Sequence, residues 1–502
     1  MKTNINKKYI LLGGIAIIIF ACVLIFSFVG FNSQNKDARL TEYNLSLEYD
    51  NNLHILYGKE EVQYVNNSEN MFTFVPFHLY PNAFREGAKN GVVSSNNVVE
   101  AYPNGGSYGE IQILGVCFEN GEKADYEICG EDQNILKIYL KEELFPDECV
   151  IFSITFQTTL ANINHRLGFG ENTINFGNFY PIACVYEEGK GFSLSLYHSN
   201  GDPFYSECAN YKVNIVCDKD FEIASSGRQE NMQIENNKKH ASYAGDNIRD
   251  FCFVLGEKLT KQSCMSGDVE VNYYGYQNDD NLQECLKTCV DALNTFENMF
   301  GKYPYSQLSV VKSNFVHGGM EYPNIVLISD NILQQNDVNY VIIHEIAHQW
   351  WYGMVGNDQY NHAWLDEGLA EYSTMLFYRD NIEYGEDFDM LLEGALKSYK
   401  LFEKVYTKVN GKVDGSMNRA LCDYDTEPEY VQCTYTKGVL LFNTLREMVG
   451  DKKFLSSLKT YFDNYQYKIA RPEDLISVFV DKCGKSVEGF FNSWLEGKVV
   501  IY

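Results

Sequence analysis

The sequence predicts a multidomain α+β protein with three successive parts: an N-terminal transmembrane helix, an antiparallel β-sandwich-like domain and a mostly α-helical domain. Three observations predict it. An uncharged apolar run covers residues 9–31, apolar and polar residues alternate from Leu40 onwards, and the apolar spacing becomes helical after Gly256. At 502 residues the chain exceeds one ordinary hydrophobic core, so two or three globular domains are expected.

The apolar run at residues 9–31 is long enough to span a bilayer, because about 20 helical residues cross its core. Three lysines precede the run, which predicts that residues 1–8 form a cytoplasmic tail. We therefore expect a single-pass signal anchor in the cell membrane, a linker over residues 32–40 and an extracytoplasmic remainder. A cleaved signal peptide is the alternative, although no Ala-x-Ala site ends the run.

Residues 41–256 have the pattern of an antiparallel β domain. Tyr43, Leu45, Leu47 and Tyr49 alternate with polar residues, as in a strand with one buried face. Similar short runs recur through this region and are separated by turn signals rich in Asn and Gly. Strands of this length, joined by turns, predict a sandwich-like arrangement.

Residues 257–502 are predicted to form the mostly helical domain. Apolar residues between Leu282 and Phe296 recur at helical spacing, and Gly301 ends the pattern. A few strands are also expected, at 308–312 and 324–329. Later helices are predicted around residues 437–449, 453–466, 472–482 and 486–497.

The chain is strongly acidic, with a formal net charge of −27. This balance argues against nucleic acid as a partner, because few cations are present to neutralise phosphates. It favours cationic ligands, such as the terminal ammonium of a peptide, or serves solubility alone.

The fourteen cysteines form no CxxC pair. Cys22 lies in the apolar run, and the remaining thirteen are an odd number. This count favours single thiols over a disulfide framework, while a pair between Cys422 and Cys433 stays open.

The most specific motif is His344-Glu345-Ile346-Ala347-His348. Two imidazoles four residues apart lie on one face of a helix and can hold one zinc ion, with Glu345 directed at a zinc-bound water. Glu367 follows after eighteen residues and offers a third ligand. Three ligands and an open position predict a catalytic site with one Zn²⁺ per chain. The alternative, a pair of core histidines, would bury titratable groups without a partner ion.

Two weaker motifs flank this one. Gly318-Gly319-Met320-Glu321 combines glycines, which let a substrate backbone approach, with a carboxylate that can bind a free amine. Tyr435 opens an apolar helix and could donate a hydrogen bond to an oxyanion. Either motif alone is unspecific, because a Gly-Gly turn is common and the chain has 37 tyrosines.

The order Gly-Gly-Met-Glu, HExxH, Glu after eighteen residues and Tyr-x-Lys-Gly resembles the M1 family of zinc aminopeptidases, which are gluzincins. The resemblance runs from about residue 40 to the C-terminus and implies a thermolysin-like catalytic domain over residues 257–502. The roles it implies are zinc ligation by His344, His348 and Glu367, proton transfer by Glu345, oxyanion stabilisation by Tyr435, and substrate binding by Gly318, Gly319, Met320 and Glu321.

Glu371 lies one helical turn beyond Glu367 and is expected to fix the orientation of a ligand imidazole. An ordinary solvated helix residue is the alternative. The family's N-terminal domain usually offers a Gln-x-Glu element whose carboxylate also holds the substrate amine. That element is not found here, and Glu187, Glu188 and Glu207 are candidates only. We also expect a short form without the family's large C-terminal helical domain, and therefore a more open cleft.

These observations predict a membrane-anchored zinc metallopeptidase that removes N-terminal residues from peptides by attack of zinc-activated water. Its expected partners are peptides with a free N-terminus and a lipid bilayer, which it meets through residues 9–31. An endopeptidase or broader peptidase of the same architecture is one alternative. A catalytically inactive surface binding protein is the other.

Overall fold

A computed structural model describes residues 39–501 of the chain. The predicted tail, membrane helix and most of the linker, residues 1–38, lie outside the described residues. Across residues 39–501, no helix has both the length and the apolar character needed to cross a bilayer.

Strands are the main regular secondary structure of the N-terminal half, and the C-terminal half is mostly helical. In chain order, the first strands are Thr41–Asp50 (β1), Ile55–Val65 (β2), Phe72–His78 (β3), Glu110–Phe118 (β4), Tyr126–Cys129 (β5), Ile135–Leu144 (β6), Cys149–Thr159 (β7), Leu167–Phe169 (β8), Ile174–Phe176 (β9), Ile182–Ala183 (β10), Tyr186–Glu187 (β11) and Gly191–Phe192 (β12). The later strands are Ala209–Asp218 (β13), Glu222–Ser225 (β14), Arg228–Glu235 (β15), Lys238–Ile248 (β16), Phe253–Gly256 (β17), Leu259–Ser266 (β18), Val269–Tyr276 (β19), Gln307–Ser313 (β20), Gly319–Met320 (β21) and Ile325–Ser329 (β22).

The largest sheet has seven strands in the order β15-β16-β13-β1-β2-β7-β4. Its neighbours are antiparallel except for β1 and β13, which are parallel with Thr41 opposite Ala209. The expectation of a purely antiparallel domain is therefore wrong at this pair. The chain leaves the sheet after β7, builds smaller sheets, and returns as β13 by a long crossover, which is the connection that parallel pairing needs.

Two four-stranded sheets, β10-β3-β6-β5 and β14-β17-β9-β8, cover the inner face of the seven-stranded sheet. Phe77 of β3 meets Phe152 of β7 with ring centroids 5.9 Å apart, and Tyr49 of β1 meets Phe176 of β9 at 5.3 Å. All four rings are buried. The period-two alternation in the sequence supplies this apolar face, as a sandwich-like packing requires.

The C-terminal half adds a five-stranded sheet, β18-β19-β20-β22-β21, and most of the helices. The helices are Val98–Ala101 (α1), Leu282–Phe300 (α2), Gln335–Ala347 (α3), Gln359–His362 (α4), Trp364–Asp380 (α5), Phe388–Asn410 (α6), Glu427–Val431 (α7), Lys437–Val449 (α8), Asp451–Tyr465 (α9), Pro472–Cys483 (α10) and Ser486–Leu495 (α11). The four late helices and the two strands predicted in this half are confirmed, within a few residues at their ends.

The change from strands to helices falls between β19 and α2, and the chain from Leu40 onwards forms one compact unit. The domain boundary at Gly256 therefore stays a prediction. The thirteen cysteines within the described residues are all free thiols, including Cys422 and Cys433.

Candidate metal centre

The two histidines of the motif lie at the end of α3, which is buried on most of its surface. Val338, Ile342, Ile343 and Ile346 belong to the apolar core of the helical half. Because apolar neighbours surround the helix, its polar side chains at the C-terminal end can face only the cleft or each other. His348 is the last residue of this turn, and it directs its ring back toward the cleft.

The segment that follows α3 is hydrogen-bonded to α5, which carries the third predicted ligand. The indole of Trp351 donates a hydrogen bond to Ser373 Oγ on α5 at 3.0 Å, and the indole of Trp350 donates to Gly301 O at 3.0 Å. These bonds satisfy two buried N–H groups and fix the distance between the helices. Glu367, in the first turn of α5, is thereby held beside the histidines.

The ligand atoms of His344, His348 and Glu367 converge. The two Nε2 atoms are 3.2 Å apart, and Glu367 Oε2 lies 3.2 Å from His348 Nε2 and 3.5 Å from His344 Nε2. Bonds of about 2.0–2.1 Å in a tetrahedral zinc site separate ligand atoms by about 3.3 Å. The three side chains therefore form one face of a tetrahedron of the size that zinc requires.

The far side of each ring has its own acceptor. His348 Nδ1 lies 2.9 Å from Trp351 O, and His344 Nδ1 lies 2.8 Å from Glu371 Oε2. Tyr340 donates its hydroxyl hydrogen to Glu371 at 2.6 Å, which holds that carboxylate in place. With Nδ1 of each ring facing one of these oxygens, both rings present Nε2 to the centre.

Electrostatics show that this centre attracts positive charge. Burial would lower the pKa of His344, but the carboxylates of Glu367 and Glu371 raise it to about 10. Burial would raise the pKa of Glu367, but the two imidazoles hold it below its usual range. Two lone pairs and a carboxylate within 3.5 Å of one another need a cation between them. The donor set therefore fits a divalent metal ion.

Glu345 is buried beside the centre, and its Oε2 has no hydrogen-bond partner among residues 39–501. Burial raises its pKa. Gly319 lies directly against it, and a side chain there would collide with the carboxylate of Glu345. The glycine thus lets a strand edge approach the group that the sequence predicts as the general base.

Tyr435 lies beside His344. Their rings are stacked with centroids 5.9 Å apart, and Tyr430 meets Tyr435 edge-on at 5.8 Å. Burial raises the pKa of Tyr435 well above its usual value, so the phenol keeps its proton for donation. It sits in a π-helical turn, Gln432–Thr436, of the kind that often marks functional sites.

Glu321 is buried, and Gln359 donates a hydrogen bond to it at 2.7 Å. Gly318 and Gly319 line the same cleft. The side chain of Met320 instead packs into the apolar core of the β half, so it does not join the cleft wall. Burial, followed by the charge of Asp202, raises the pKa of Glu321.

Asp202 is the site residue that sequence reasoning missed. One of its oxygens lies within 4.8 Å of carboxylate oxygens of both Glu321 and Glu367, and it forms an ion pair with buried Arg166. No local pattern identifies it, because it is a lone aspartate in a turn. The side chain of Asn200 fixes the position of this turn. It donates hydrogen bonds to the backbone carbonyls of Leu421 and Tyr424 in the helical half, at 3.1 Å each.

The sequence suggested three candidates for a second amine-binding carboxylate: Glu187, Glu188 and Glu207. None of them lines the cleft. Glu187 forms an ion pair with Lys190 at 2.7 Å. Glu188 accepts a hydrogen bond from Asn70 at 2.6 Å, and Glu207 is not in the cleft wall. The β half therefore contributes a carboxylate to the cleft, but from a different turn.

The cleft is a cavity of about 280 Å³ between the two halves of the molecule. Carboxylates dominate its charged lining: Asp202, Glu321, Glu345, Glu367, Glu371 and Glu427. Among the described residues that line it, Arg166 is the one permanent cation. The cavity suits a ligand that carries positive charge.

The fold and the site together define a class: an α+β protein with a two-histidine, one-glutamate metal centre and a glutamate beside it, as in gluzincins. Residues 284–494 match the domain of peptidase family M1. This match agrees with the resemblance inferred from the motifs over that part of the chain.

Similar proteins include rat aminopeptidase B, 28% identical over 221 residues, and rice aminopeptidase M1-B, 25% identical over 231 residues. These matches cover 41% and 43% of this chain but only 33% and 26% of the relatives' own lengths. The crystal structure of an M1 zinc metallopeptidase from Deinococcus radiodurans has a similar fold, with a TM-score of 0.64. It is 16% identical, and the match covers 94% of this chain and 97% of that one.

Proposed function

We propose that this chain is a zinc aminopeptidase, which hydrolyses the first peptide bond of substrates with a free N-terminus. The observation that carries the proposal is the convergence of two imidazole lone pairs and one carboxylate beside two further carboxylates, Glu321 and Asp202. The first group suits a zinc ion, and the second suits a terminal ammonium. The matched relatives are named aminopeptidases, which supports the same activity.

Zinc is the metal that these ligands favour, because two imidazoles and one glutamate form a common catalytic zinc set. When bound, zinc supplies a water molecule with a pKa near neutrality and polarises the substrate carbonyl. His344, His348 and Glu367 would hold it, with Glu371 and Trp351 O fixing the two rings.

Glu345 is placed to take the proton of the attacking water and to pass it to the leaving amine. Its carboxylate is buried, has one oxygen without a partner among the described residues, and lies against the strand edge at Gly319. Tyr435, whose ring is stacked on that of His344, keeps its phenolic hydrogen and can donate it to the developing oxyanion.

Glu321 and Asp202 would set the register by binding the substrate's terminal ammonium. An ammonium group has three donors and can meet both carboxylates at once. Gly318 and Gly319 leave room for the substrate backbone on the same side of the cleft. A D. radiodurans M1 structure is described as bound to a Tyr-Ser-Ala substrate, which agrees with a peptide in a cleft of this fold.

We also propose that the enzyme is anchored in the cell membrane by residues 9–31, with its catalytic half outside the cytoplasm. The support is the uncharged apolar run and the lysines that precede it. Protease protection of the full chain in sealed membrane vesicles tests this. Loss of the protein into the soluble fraction after N-terminal processing would contradict it.

The decisive assay compares aminoacyl fluorogenic amides with the same compounds acetylated at the amine, using the zinc-loaded full chain. The proposal predicts hydrolysis of the free amines only. Hydrolysis of both sets would favour the endopeptidase alternative. Bound zinc with hydrolysis of neither set would favour a binding protein.

A further inference from the structure

Helix α6, Phe388–Asn410, presents an apolar stripe to solvent. Leu401, Val405 and Val409 follow at intervals of four residues, so they lie on one face of the helix. They are 62%, 50% and 76% exposed. A single exposed apolar residue is ordinary on a protein surface, whereas a continuous apolar patch indicates a surface that contacts another molecule.

A row of lysines runs beside this stripe. Lys400, Lys404 and Lys408 each precede one of its members by a single position, which places the two rows about 100° apart around the helix. Residues 396–413 contain five lysines and one acidic residue, although the whole chain has a formal net charge of −27. The segment is therefore a basic surface on an acidic protein.

Most of these lysines are not neutralised by the protein itself. Lys397 pairs with Glu393 at 2.6 Å, one turn earlier on α6. Within residues 39–501, Lys400, Lys404 and Lys408 have no acidic partner at ion-pairing distance. Their charges can therefore meet the anionic groups of a partner.

The opposite face of α6 packs against the helical half. Tyr399 is buried there, and Phe402 lies against the apolar core. Gln432, in the π-helical turn that carries Tyr435, donates a hydrogen bond to Ser398 Oγ at 3.1 Å. Because this face is fixed, α6 cannot rotate to cover its own stripe. A partner of the stripe would thus be held in a set orientation relative to the cleft.

The interfacial region of an anionic bilayer matches both rows of α6. Leucine and valine enter the boundary of the acyl chains, while lysines lay their methylenes along the apolar surface and extend to the phosphates. A nucleic acid would neutralise the lysines but would leave the stripe in water. The anchor proposed above would also keep the folded unit close to a bilayer, because a linker over residues 32–40 reaches at most about 30 Å.

We propose that α6 is a membrane-docking helix, whose apolar stripe and neighbouring lysines bind the surface of a bilayer that contains anionic lipids. Docking would add a second contact to the anchor and fix the direction in which the cleft opens. The inference goes beyond the proposed function and does not depend on hydrolysis, since it concerns a surface outside the metal centre.

The test measures acetylation of individual lysines by mass spectrometry in the full chain. The protein is reconstituted in vesicles of phosphatidylcholine alone or of equal parts phosphatidylcholine and phosphatidylglycerol, and labelling is kept sparse. Lys219, an exposed lysine of the β half, is the reference within each molecule. Labelling of Lys404 and Lys408 relative to Lys219 should fall by about five- to tenfold when phosphatidylglycerol is present, since one lysine near an anionic surface strengthens binding by about fivefold. High salt should weaken this protection.

Two double variants separate the charge from the apolar contact. Lys400→Gln with Lys404→Gln removes two cations, and Val405→Ser with Val409→Ser removes most of the stripe. Each should return the labelling of Lys408 in the phosphatidylglycerol vesicles to its level in phosphatidylcholine. Protection that survives either double variant would contradict a docking surface built from both rows.

The matched control is Lys452→Gln with Lys453→Gln, which removes two exposed lysines of α9 and should keep the protection. Equal labelling ratios in the two kinds of vesicle overturn the inference. Protection that appears in detergent solution and grows with protein concentration also overturns it, because a second copy of the chain would then cover the stripe.

Loss of the chain from both kinds of vesicle would contradict the anchor and would not by itself decide the docking of α6. The released protein is then mixed with the same vesicles and floated on a density gradient. Flotation with the phosphatidylglycerol vesicles alone supports the inference, and flotation with neither kind overturns it.

Discussion

The two walls of the cleft differ in how the chain builds them. The helical wall takes its three metal ligands and Glu371 from α3 and α5, which follow one another closely in sequence. The β wall contributes Asp202 from a turn far upstream, fixed by Arg166 and by bonds of Asn200 to the helical half. The reacting groups are thus set by local spacing, whereas the substrate's register depends on packing between distant segments.

The largest effect is expected on the helical wall, in Glu345→Gln. Loss of the proton acceptor should lower kcat by roughly 10²- to 10⁴-fold. The zinc content, measured by mass spectrometry, should not change, because Glu345 is not one of the three converging ligands. Glu383→Gln, an exposed change of the same kind, is the control. Equal turnover in the Glu345 variant would remove this residue from the mechanism.

A smaller loss is expected in Tyr435→Phe, which removes one hydrogen-bond donor and keeps the ring stacked on His344. Removing a single oxyanion donor costs about 10²- to 10³-fold in kcat. Steady-state kinetics should show this fall in kcat with little change in KM. A rise in KM alone would mean that the phenol binds substrate and does not act on the transition state.

On the β wall, Asp202→Asn should lower the selectivity for free over acetylated amines more than it slows the chemical step. Free aminoacyl amides should lose about 10- to 100-fold in kcat/KM, since a charged hydrogen bond to the ammonium is lost. Any residual hydrolysis of acetylated amides should not fall, so the ratio of kcat/KM for free over acetylated amides narrows. The double variant Asp202→Asn with Arg166→Gln controls for the unpaired buried guanidinium. An unchanged ratio in both variants would mean that Glu321 alone binds the amine.

The smallest effect concerns the core of the β half and should leave the cleft unaffected. Glu60 is fully buried on β2, and neither oxygen has a hydrogen-bond partner among residues 39–501. Burial raises its pKa well above the usual value of 4.5. The folded chain therefore keeps a proton that the unfolded chain releases above about pH 4.5, and stability falls as pH rises through this window.

The slope from one such group is about 1.4 kcal/mol per pH unit, up to the folded-state pKa. Denaturant unfolding of Glu60→Gln between pH 5 and pH 8 should show a flatter profile than the wild type, with unchanged kcat. A variant profile parallel to that of the wild type would mean that Glu60 is ionised in the native protein.

The contrast between local spacing and packing of distant segments explains how much of the molecule could be predicted from the sequence. His344, His348 and Glu367 were predictable because helix geometry places residues four apart on one face. Asp202 was not, because its position depends on where a turn of one half meets carbonyls of the other. The parallel pairing of β1 with β13 was missed for the same reason, since alternation sets the buried face of a strand but not its neighbour.

The most direct test of the central claim is anomalous diffraction at the zinc edge from crystals of the zinc-loaded protein. Two other groups of side chains in the cleft could also hold an ion: Glu321 with Glu345 and His348, and Asp202 with Glu321 and Glu367. The account predicts one peak, about 2.0–2.2 Å from the Nε2 atoms of His344 and His348 and from the carboxylate of Glu367. A peak at either of the other groups, or none in the cleft, would contradict it.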